Sequence, residues 1–323
     1  MYTVKTLLLE ELDSCIALLR SAYKEEKDQQ EDLPSFDKQE SRIVKNLQKI
    51  HQANHHHYAL YYKEEMVGFM MGHVFPSLWG RSKGFYVPLH AHAVDKNHRK
   101  KGDQMLYTFA SQRLVKEEIL SHAITLYYHD EKSMNTWFHL GFGLRLIDSL
   151  KKLKDFPSPI LDPNLELSEL TKETIKDFLH LAEDFHFYFE EAPLFMPQET
   201  QDEEKELKDF LQKEEHYLYG LYYDKKPISY IKLRPIGENV LSYDENFIHV
   251  CGLYVDPSFQ SKGIASSFLN LVCKKMQEKG YKLLGVDFES FNTKGANFWH
   301  KHFTPYTYTL TRRIDEGIVK KKD

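Results

Sequence analysis

Residues 255–265 read Val-Asp-Pro-Ser-Phe-Gln-Ser-Lys-Gly-Ile-Ala, the most informative segment of this sequence. An apolar strand pattern leads into it, and an amphipathic helix pattern follows it. At such a junction several backbone N–H groups point the same way, and the helix dipole adds positive potential. Gly263 and Ala265 keep bulky side chains away from that backbone, while Lys262 and Ser266 offer further donors. The stretch therefore predicts a loop that binds an anion such as a phosphate.

The same order of patterns occurs twice in the chain, at a constant shift of 161 positions (219 − 58, 255 − 94 and 263 − 102). The matched segments are 58–62 with 219–223, 94–95 with 255–256, and 102 with 263. Alternating strands and helices in each copy predict a mixed α/β sheet, so we expect two copies of one α/β domain. Three prolines between 151 and 163 indicate a linker, which places the domains at 1–150 and 164–323.

Composition favours a protein without nucleic-acid or membrane partners. The 323 residues carry a net charge of −5, whereas nucleic-acid surfaces are usually strongly basic. Three cysteines are too few for a disulfide framework, and we find no secretory signal and no apolar run of about 18 residues. We expect a cytoplasmic protein, either monomeric or a homodimer.

The loop and its surroundings resemble one enzyme family. The pattern Gln-x-x-Gly-x-Ala at 260–265, the Val-Asp-Pro before it, and Asn292 followed by Phe298-Trp299 are similar to motifs of the GNAT superfamily of acyl-CoA-dependent N-acetyltransferases. The resemblance is good over 160–316 and reaches 1–150 through the repeat. It implies acetyl-CoA as cofactor, with the pyrophosphate on 260–266 and the pantetheine along the strand at 251–255. The cofactor-binding residues that it implies are Leu253, Tyr254, Val255, Gln260, Ser261, Lys262, Gly263, Ile264, Ala265, Ser266, Asn292, Phe298 and Trp299.

One position departs from the family pattern. Most members have a tyrosine seven residues after the asparagine, and its phenol is thought to protonate the departing thiolate. Here that residue is Trp299, with Trp137 as its counterpart in the first half, and an indole N–H only donates. Either the thiolate leaves with the help of water, or Tyr306 or Tyr308 supplies the proton.

A general base must accept the proton of the attacking amine. His249, on the strand that leads to Val255, has a suitable side chain, although a single histidine on a strand is often structural. Asp287 and Glu289 on the next strand are alternatives. We take His249, Glu289 and Tyr306 as the candidate catalytic residues.

The histidines between 51 and 57 have neither a cysteine partner nor helical i, i+4 spacing. We therefore interpret them as an exposed approach to a strand and expect no metal site.

The first copy of the loop, 99–104, reads Arg-Lys-Lys-Gly-Asp-Gln. Gln104 stands where the second copy has the small Ala265, and Asp103 adds negative charge near the expected pyrophosphate. The three basic residues at 99–101 would attract the pyrophosphate. We expect the first half to be degenerate. The aromatic residues at 185–189 and 195–197 either wall the acceptor pocket or simply pack.

Three functions remain open at this point. The first is transfer of acetyl from acetyl-CoA to a primary amine of a small molecule or peptide, by direct attack in a ternary complex. The second is a non-catalytic acyl-CoA-binding or scaffold protein. The third is a tandem transferase that uses aminoacyl-tRNA, which the intact loop and the acidic balance disfavour.

Overall fold

The computed structural model describes residues 1–80, 82–158, 163–199 and 202–319, and its elements follow the same order twice. Each half has a strand, two helices, a hairpin, a strand, a long helix, a strand, a short helix and a final strand. The first half has two further strands after its hairpin. The mixed α/β fold and the internal repeat expected from the sequence are thus confirmed.

The strands of the first half are β1 (Tyr2–Thr6), β2 (His57–Tyr62), β3 (Glu65–Met71), β4 (His73–Phe75), β5 (Gly84–Val87), β6 (His92–Val94), β7 (Ser121–Tyr127) and β8 (Gly143–Lys152). Those of the second half are β9 (Leu165–Glu169), β10 (Tyr217–Tyr223), β11 (Lys226–Arg234), β12 (Phe247–Val255), β13 (Leu283–Glu289) and β14 (Thr304–Arg313). The α-helices are α1 (Leu12–Gln29), α2 (Phe36–Ala53), α3 (Arg99–Lys116), α4 (Glu131–His139), α5 (Leu179–Tyr188), α6 (Glu203–Leu211), α7 (Ile264–Glu278) and α8 (Thr293–His302).

Contacts divide the chain into two compact units. Unit 1 comprises Met1–Asp148, Asn239–Leu241 and the residues from Pro305 onward, and unit 2 comprises Ser149–Glu238 and Ser242–Thr304. In unit 1, β1-β2-β3-β6 form an antiparallel sheet, and β5 pairs parallel with β7. In unit 2 the strand order is β9-β10-β11-β12-β13, antiparallel except for the parallel pair β12–β13.

The last strand of the chain belongs to unit 1 and not to unit 2. β14 pairs antiparallel with β7 from Thr307–Tyr127 to Arg313–Ser121. The Thr307 hydroxyl also donates to the Asp148 carboxylate. The units therefore do not follow the expected bounds of 1–150 and 164–323. The expected linker at 151–163 begins as the end of β8 and a 3-10 helix at Leu153–Asp155, and residues 159–162 lie outside the described ranges.

Apolar faces read from the sequence form the cores. The stripe on α7 buries Phe268, Val272 and Met276 completely, and each such side chain contributes about 1.5–3 kcal/mol relative to an exposed position. Cys15, Cys251 and Cys273 are free thiols. None of the helices in the described ranges is both long and apolar enough to cross a membrane.

Candidate active site

The 260–266 loop lies between β12 and α7, as the sequence predicts. Asp256 accepts from the backbone N–H of Ser258 at 2.8 Å, and Gln260 Nε2 donates to the Val255 carbonyl at 2.9 Å, so side chains at both ends hold the turn. Gly263 has φ +79°, a left-handed conformation that glycine adopts without strain.

The backbone of the loop presents free donors. The first helical bond of α7 runs from the Ser267 N–H to the Gly263 carbonyl at 3.1 Å. The N–H groups of residues 262–266 donate no hydrogen bond to the described part of the chain, as expected for a first helical turn. A Cβ added at Gly263 would meet nothing within 4 Å, so the space above the turn is open. Free backbone donors at the N-terminus of a helix, together with its dipole, favour an anion.

The strands β12 and β13 separate beside this loop. Their pairing runs only from Phe247–Leu283 to Val250–Val286. We call the opening between residues 251–255 of β12 and 287–289 of β13 the fork. The predicted cofactor residues Leu253, Tyr254 and Val255 line its β12 side. A register shift against β11, where Lys232 faces Gly252 and Leu233 faces Val250, leaves Cys251 as a bulge at its base.

Helix α5 covers the fork with aromatic side chains. The ring of Phe185 lies 5.6 Å from that of Tyr254, and a Cβ added at Gly252 would lie 3.3 Å from Phe185. Gly252 therefore lets the helix approach the strand closely. Phe185, the first residue of the aromatic run at 185–189, therefore lies against the β12 side of the fork.

Tyr188, the last residue of α5, reaches Asn292 at the start of α8. Its hydroxyl donates to Asn292 Oδ1 at 2.6 Å, and the same oxygen accepts from the Gly295 N–H at 3.1 Å as the N-cap of α8. Burial raises the pKa of Tyr188, so the phenol stays protonated at neutral pH. Sequence reasoning missed this residue as a candidate proton donor. Its only signal was a place in the aromatic run.

His249 and Asp287 form a pair where the fork begins. His249 Nε2 lies 2.6 Å from Asp287 Oδ1. The imidazole side chain is 1% exposed, against 23% for the aspartate, and Cβ atoms added at Gly237 or Gly285 would lie 2.6 or 2.9 Å from its Nδ1. Asp287 is therefore the more accessible group of the pair. Glu289, two residues further on, shares the face of Asp287.

The two aromatic residues predicted on α8 point in different directions. Trp299 is buried and packs against Phe303 with ring centroids 5.6 Å apart. The ring centroids of Phe298 and His302 lie 4.8 Å apart, and His302 Nε2 lies 2.9 Å from Ser266 Oγ. This row of side chains joins α8 to the first turn of α7.

Tyr306 does not belong to unit 2. It lies on β14 in unit 1, is 1% exposed, and its hydroxyl accepts from Asn239 Nδ2 at 2.8 Å. It lies there because β14 pairs with β7 of unit 1.

Comparisons with known proteins identify the segment that carries the site. Residues 178–303 match the family model described as "Acetyltransferase (GNAT) family". This segment is a GNAT domain. A GCN5-related N-acetyltransferase from Sphaerobacter thermophilus has a TM-score of 0.61 at 10% identity, covering 97% of this chain and 95% of its own. A GNAT-family acetyltransferase from Colwellia psychrerythraea has a TM-score of 0.50 at 13% identity, covering 98% and 100%.

A third similar structure is a glucosamine N-acetyltransferase region in a fungal multi-domain GH3 β-N-acetylglucosaminidase. Its TM-score is 0.55 at 12% identity, covering 96% of this chain and 38% of that one. At such identities the likeness shows the GNAT fold and no activity. No curated protein matches the sequence.

Unit 1 shares the GNAT order of elements but lacks the open loop. Helix α3 begins at Arg99, four residues earlier relative to the repeat than the GNAT helix α7, whose first residue, Ile264, corresponds to position 103 at the shift of 161 (264 − 161 = 103). Gly102 is therefore helical, and its N–H donates to the His98 carbonyl at 2.7 Å. A Cβ at Gly102 would lie 2.6 Å from Val94 Cγ1, so this glycine serves close packing.

The charged residues of the first loop turn inward. The Arg99 guanidinium pairs with Glu25 at 2.9 Å and with Asp130 at 3.2 Å. Asp103 is 3% exposed, and burial raises its pKa to about 7. The expectation that Asp103 projects its charge toward a pyrophosphate is therefore wrong, because the helix buries it.

Proposed function

We propose that this chain is an N-acetyltransferase that moves the acetyl group of acetyl-CoA to a primary amine by direct attack in a ternary complex. The observation that carries the proposal is the row of unbonded N–H groups at residues 262–266 beside an open fork. The family match over 178–303 supports acyl transfer as the reaction class. Acetyl-CoA supplies the activated acetyl thioester.

The residues of the GNAT domain fit this molecule. The free N–H groups and the dipole of α7 would hold its pyrophosphate, since small residues at 263 and 265 leave that backbone accessible. The edge of β12 that β13 no longer pairs offers the backbone of Leu253 and Val255 to the amide groups of the pantetheine. Asn292 would face the same molecule from the start of α8.

Two side chains would move protons. Asp287, held by His249, would accept a proton from the attacking amine at its partly exposed carboxylate. Tyr188, hydrogen-bonded to Asn292, would give its phenolic proton to the departing sulfur. Backbone N–H groups at the Cys251 bulge would polarise the thioester carbonyl. Glu289 is the second candidate base.

Turnover is the test of this proposal. The purified chain with acetyl-CoA and a panel of primary amines should release free thiol, which a thiol reagent measures, and should yield acetylated amine by mass spectrometry. CoA binding with no turnover on any amine would favour the alternative, a non-catalytic acyl-CoA-binding protein. Calorimetry with tRNA should show no binding, and binding would revive the aminoacyl-tRNA hypothesis. Monomer or dimer, and a cytoplasmic location, stay predictions.

We also propose that unit 1 is degenerate and binds no CoA. Relative to the repeat, helix α3 starts four residues earlier than α7. The N–H groups equivalent to those that an anion needs therefore lie inside the helix. The buried Arg99 is held by Glu25 and Asp130.

A further inference from the structure

Outside the GNAT domain, the side chains of two histidines and a glutamate of unit 1 form a cluster. His55 precedes β2, His56 is the next residue, and Glu117 follows the last turn of α3. His55 Nε2 lies 2.9 Å from Glu117 Oε1, and His56 Nε2 lies 3.1 Å from Glu117 Oε2. Among the described residues these form a group whose ligand atoms all lie within 4.8 Å of one another.

The spacing fits a divalent transition ion. Two ligand atoms that are each about 2.1 Å from one ion lie roughly 3 to 3.4 Å from each other. The two nitrogen–oxygen distances, 2.9 and 3.1 Å, are close to that range. An ion between the imidazoles and the carboxylate would need only small side-chain movements.

The surroundings orient His56 as a ligand. The ring is buried, and its Nδ1 lies 2.8 Å from the Tyr58 hydroxyl. Asn54 Oδ1 accepts from the His56 backbone N–H at 2.8 Å. When Nδ1–H donates to Tyr58, Nε2 is free to bind, which is the arrangement that ordinarily supports a metal-bound histidine.

The ligand types select the metal. Two imidazole nitrogens and one carboxylate suit Zn²⁺, Ni²⁺ or Co²⁺, whereas Mg²⁺ and Ca²⁺ prefer oxygen ligands. Arg113, which lies over the Phe109 and Tyr58 rings, is a nearby positive charge and lowers the affinity. The single carboxylate and the exposure of His55 also argue against a tight, closed site.

We propose that His55, His56 and Glu117 bind one divalent transition ion, Zn²⁺ above all, which ties the start of β2 to the end of α3. Water would complete the coordination. Local sequence spacing predicts no metal site at 51–57 because the third ligand comes from Glu117, which the fold brings in.

Zinc binding by the full chain, freed of metal with a chelator and carrying no histidine tag, tests the proposal without acetyl-CoA. Calorimetry should find one Zn²⁺ per chain with a Kd near micromolar, and Zn²⁺ but not Mg²⁺ should raise the melting temperature. His55→Ala changes an exposed side chain, and Glu117→Gln keeps the shape of the carboxylate. Each should weaken binding at least tenfold and abolish the thermal shift.

His139→Ala is the matched control, since His139 is an exposed histidine of the same unit that bonds only the Asn135 carbonyl among described residues. It should leave zinc affinity unchanged. Absence of saturable binding overturns the proposal, and so does binding that survives both ligand substitutions. Neither result bears on acetyl transfer, because these residues lie in unit 1.

Discussion

Tyr188 is the residue whose replacement separates proton donation from packing. Tyr188→Phe removes one hydroxyl and keeps the ring, so its hydrogen bond to Asn292 is lost while α5 stays in place. We expect kcat to fall about a hundredfold, the low end of what a positioned proton donor supplies, with CoA affinity unchanged. Steady-state kinetics and CoA calorimetry on the same protein check this.

Tyr222→Phe is the control, because it removes another tyrosine hydroxyl of unit 2, one that donates to Asp177 at 3.3 Å in an exposed position. Its kcat should match that of the wild type. A donor thioester with a more acidic leaving thiol should narrow the gap between Tyr188→Phe and wild type. If the gap does not change, the hydroxyl orients Asn292 and does not donate the proton.

Trp299→Phe tests whether the residue at the usual tyrosine position takes part in the chemistry. The indole packs on Phe303 in the core, so its loss should cost stability, about 1 kcal/mol or more, and little turnover. Thermal unfolding and kcat are the measurements. A hundredfold loss of kcat at unchanged CoA affinity would show that the indole takes part in the chemistry.

Single residues were predictable where the chemistry is local. Gly263 could be named from sequence because a bare backbone before a helix depends on neighbouring residues, and Asn292 through the family resemblance; the structure adds that Gly263 is left-handed and that Asn292 caps α8. The partner of Asn292 could not, since Tyr188 is 104 residues away and only the packing of α5 joins them. His249 was found, but its burial made Asp287 the accessible group.

At the scale of elements, the start of a helix decides which half can hold an anion. Ala265→Gln places a long side chain on the first turn of α7, where the N–H groups are free. We expect CoA affinity to fall at least tenfold, about 1.4 kcal/mol, by calorimetry. Gln104→Ala makes the reverse change at the equivalent position of α3 and should leave affinity unchanged. The opposite result would assign the cofactor to unit 1.

Gly102→Ala is unsuitable as that control. The added methyl would press on Val94 and Leu60 at 2.6 and 2.9 Å, so it would destabilise unit 1 whatever the unit binds. The sequence motif predicts that Gly102 belongs to a loop. In the structure Gly102 lies in α3 and lets this helix pack closely against Val94 and Leu60. Sequence cannot separate these roles, because both favour a glycine after a strand.

The helix α3 also carries a pH-sensitive group. Asp103 has a pKa of about 7 when folded and 3.8 as its ordinary value, so the folded state keeps its proton longer than the unfolded state. The contribution of Asp103 to the free energy of unfolding therefore falls as the pH rises from about 4 to 7, by at most about 1.4 kcal/mol per pH unit. Above pH 7 this contribution no longer changes.

Asp103→Asn should remove this dependence. The difference in unfolding free energy between variant and wild type should grow in favour of the variant from pH 4.5 to 7.5, measured by urea unfolding. Taking the difference cancels the buried histidines, such as His122, whose lowered pKa acts in the opposite direction. A difference that does not change with pH would mean that Asp103 is ionised in the folded protein.

For the whole molecule, the repeat predicted two copies of one fold but not which strand completes each copy. The constant shift of 161 positions indicates that the two halves have a common ancestor. It carries no information on which distant strands pair with each other. The chain passes from unit 1 to unit 2 within β8 and, apart from Asn239–Leu241, belongs to unit 1 again only from Pro305, where β14 pairs with β7. A boundary drawn in the proline-rich segment therefore separates unit 1 from one of its own strands.

The fragment 1–150 should consequently fail to fold alone. It lacks β14, whose seven paired residues cover β7 and whose Leu310 is completely buried in the core of unit 1. A variant that joins residues 1–148 through a flexible linker to 303–319 should recover a cooperative thermal transition. In the intact chain, Leu310→Ala should cost about 2–5 kcal/mol, the usual penalty for a cavity of that size. Should 1–150 alone melt cooperatively at the temperature of the joined variant, β14 is dispensable, and the boundaries read from the sequence are the correct ones.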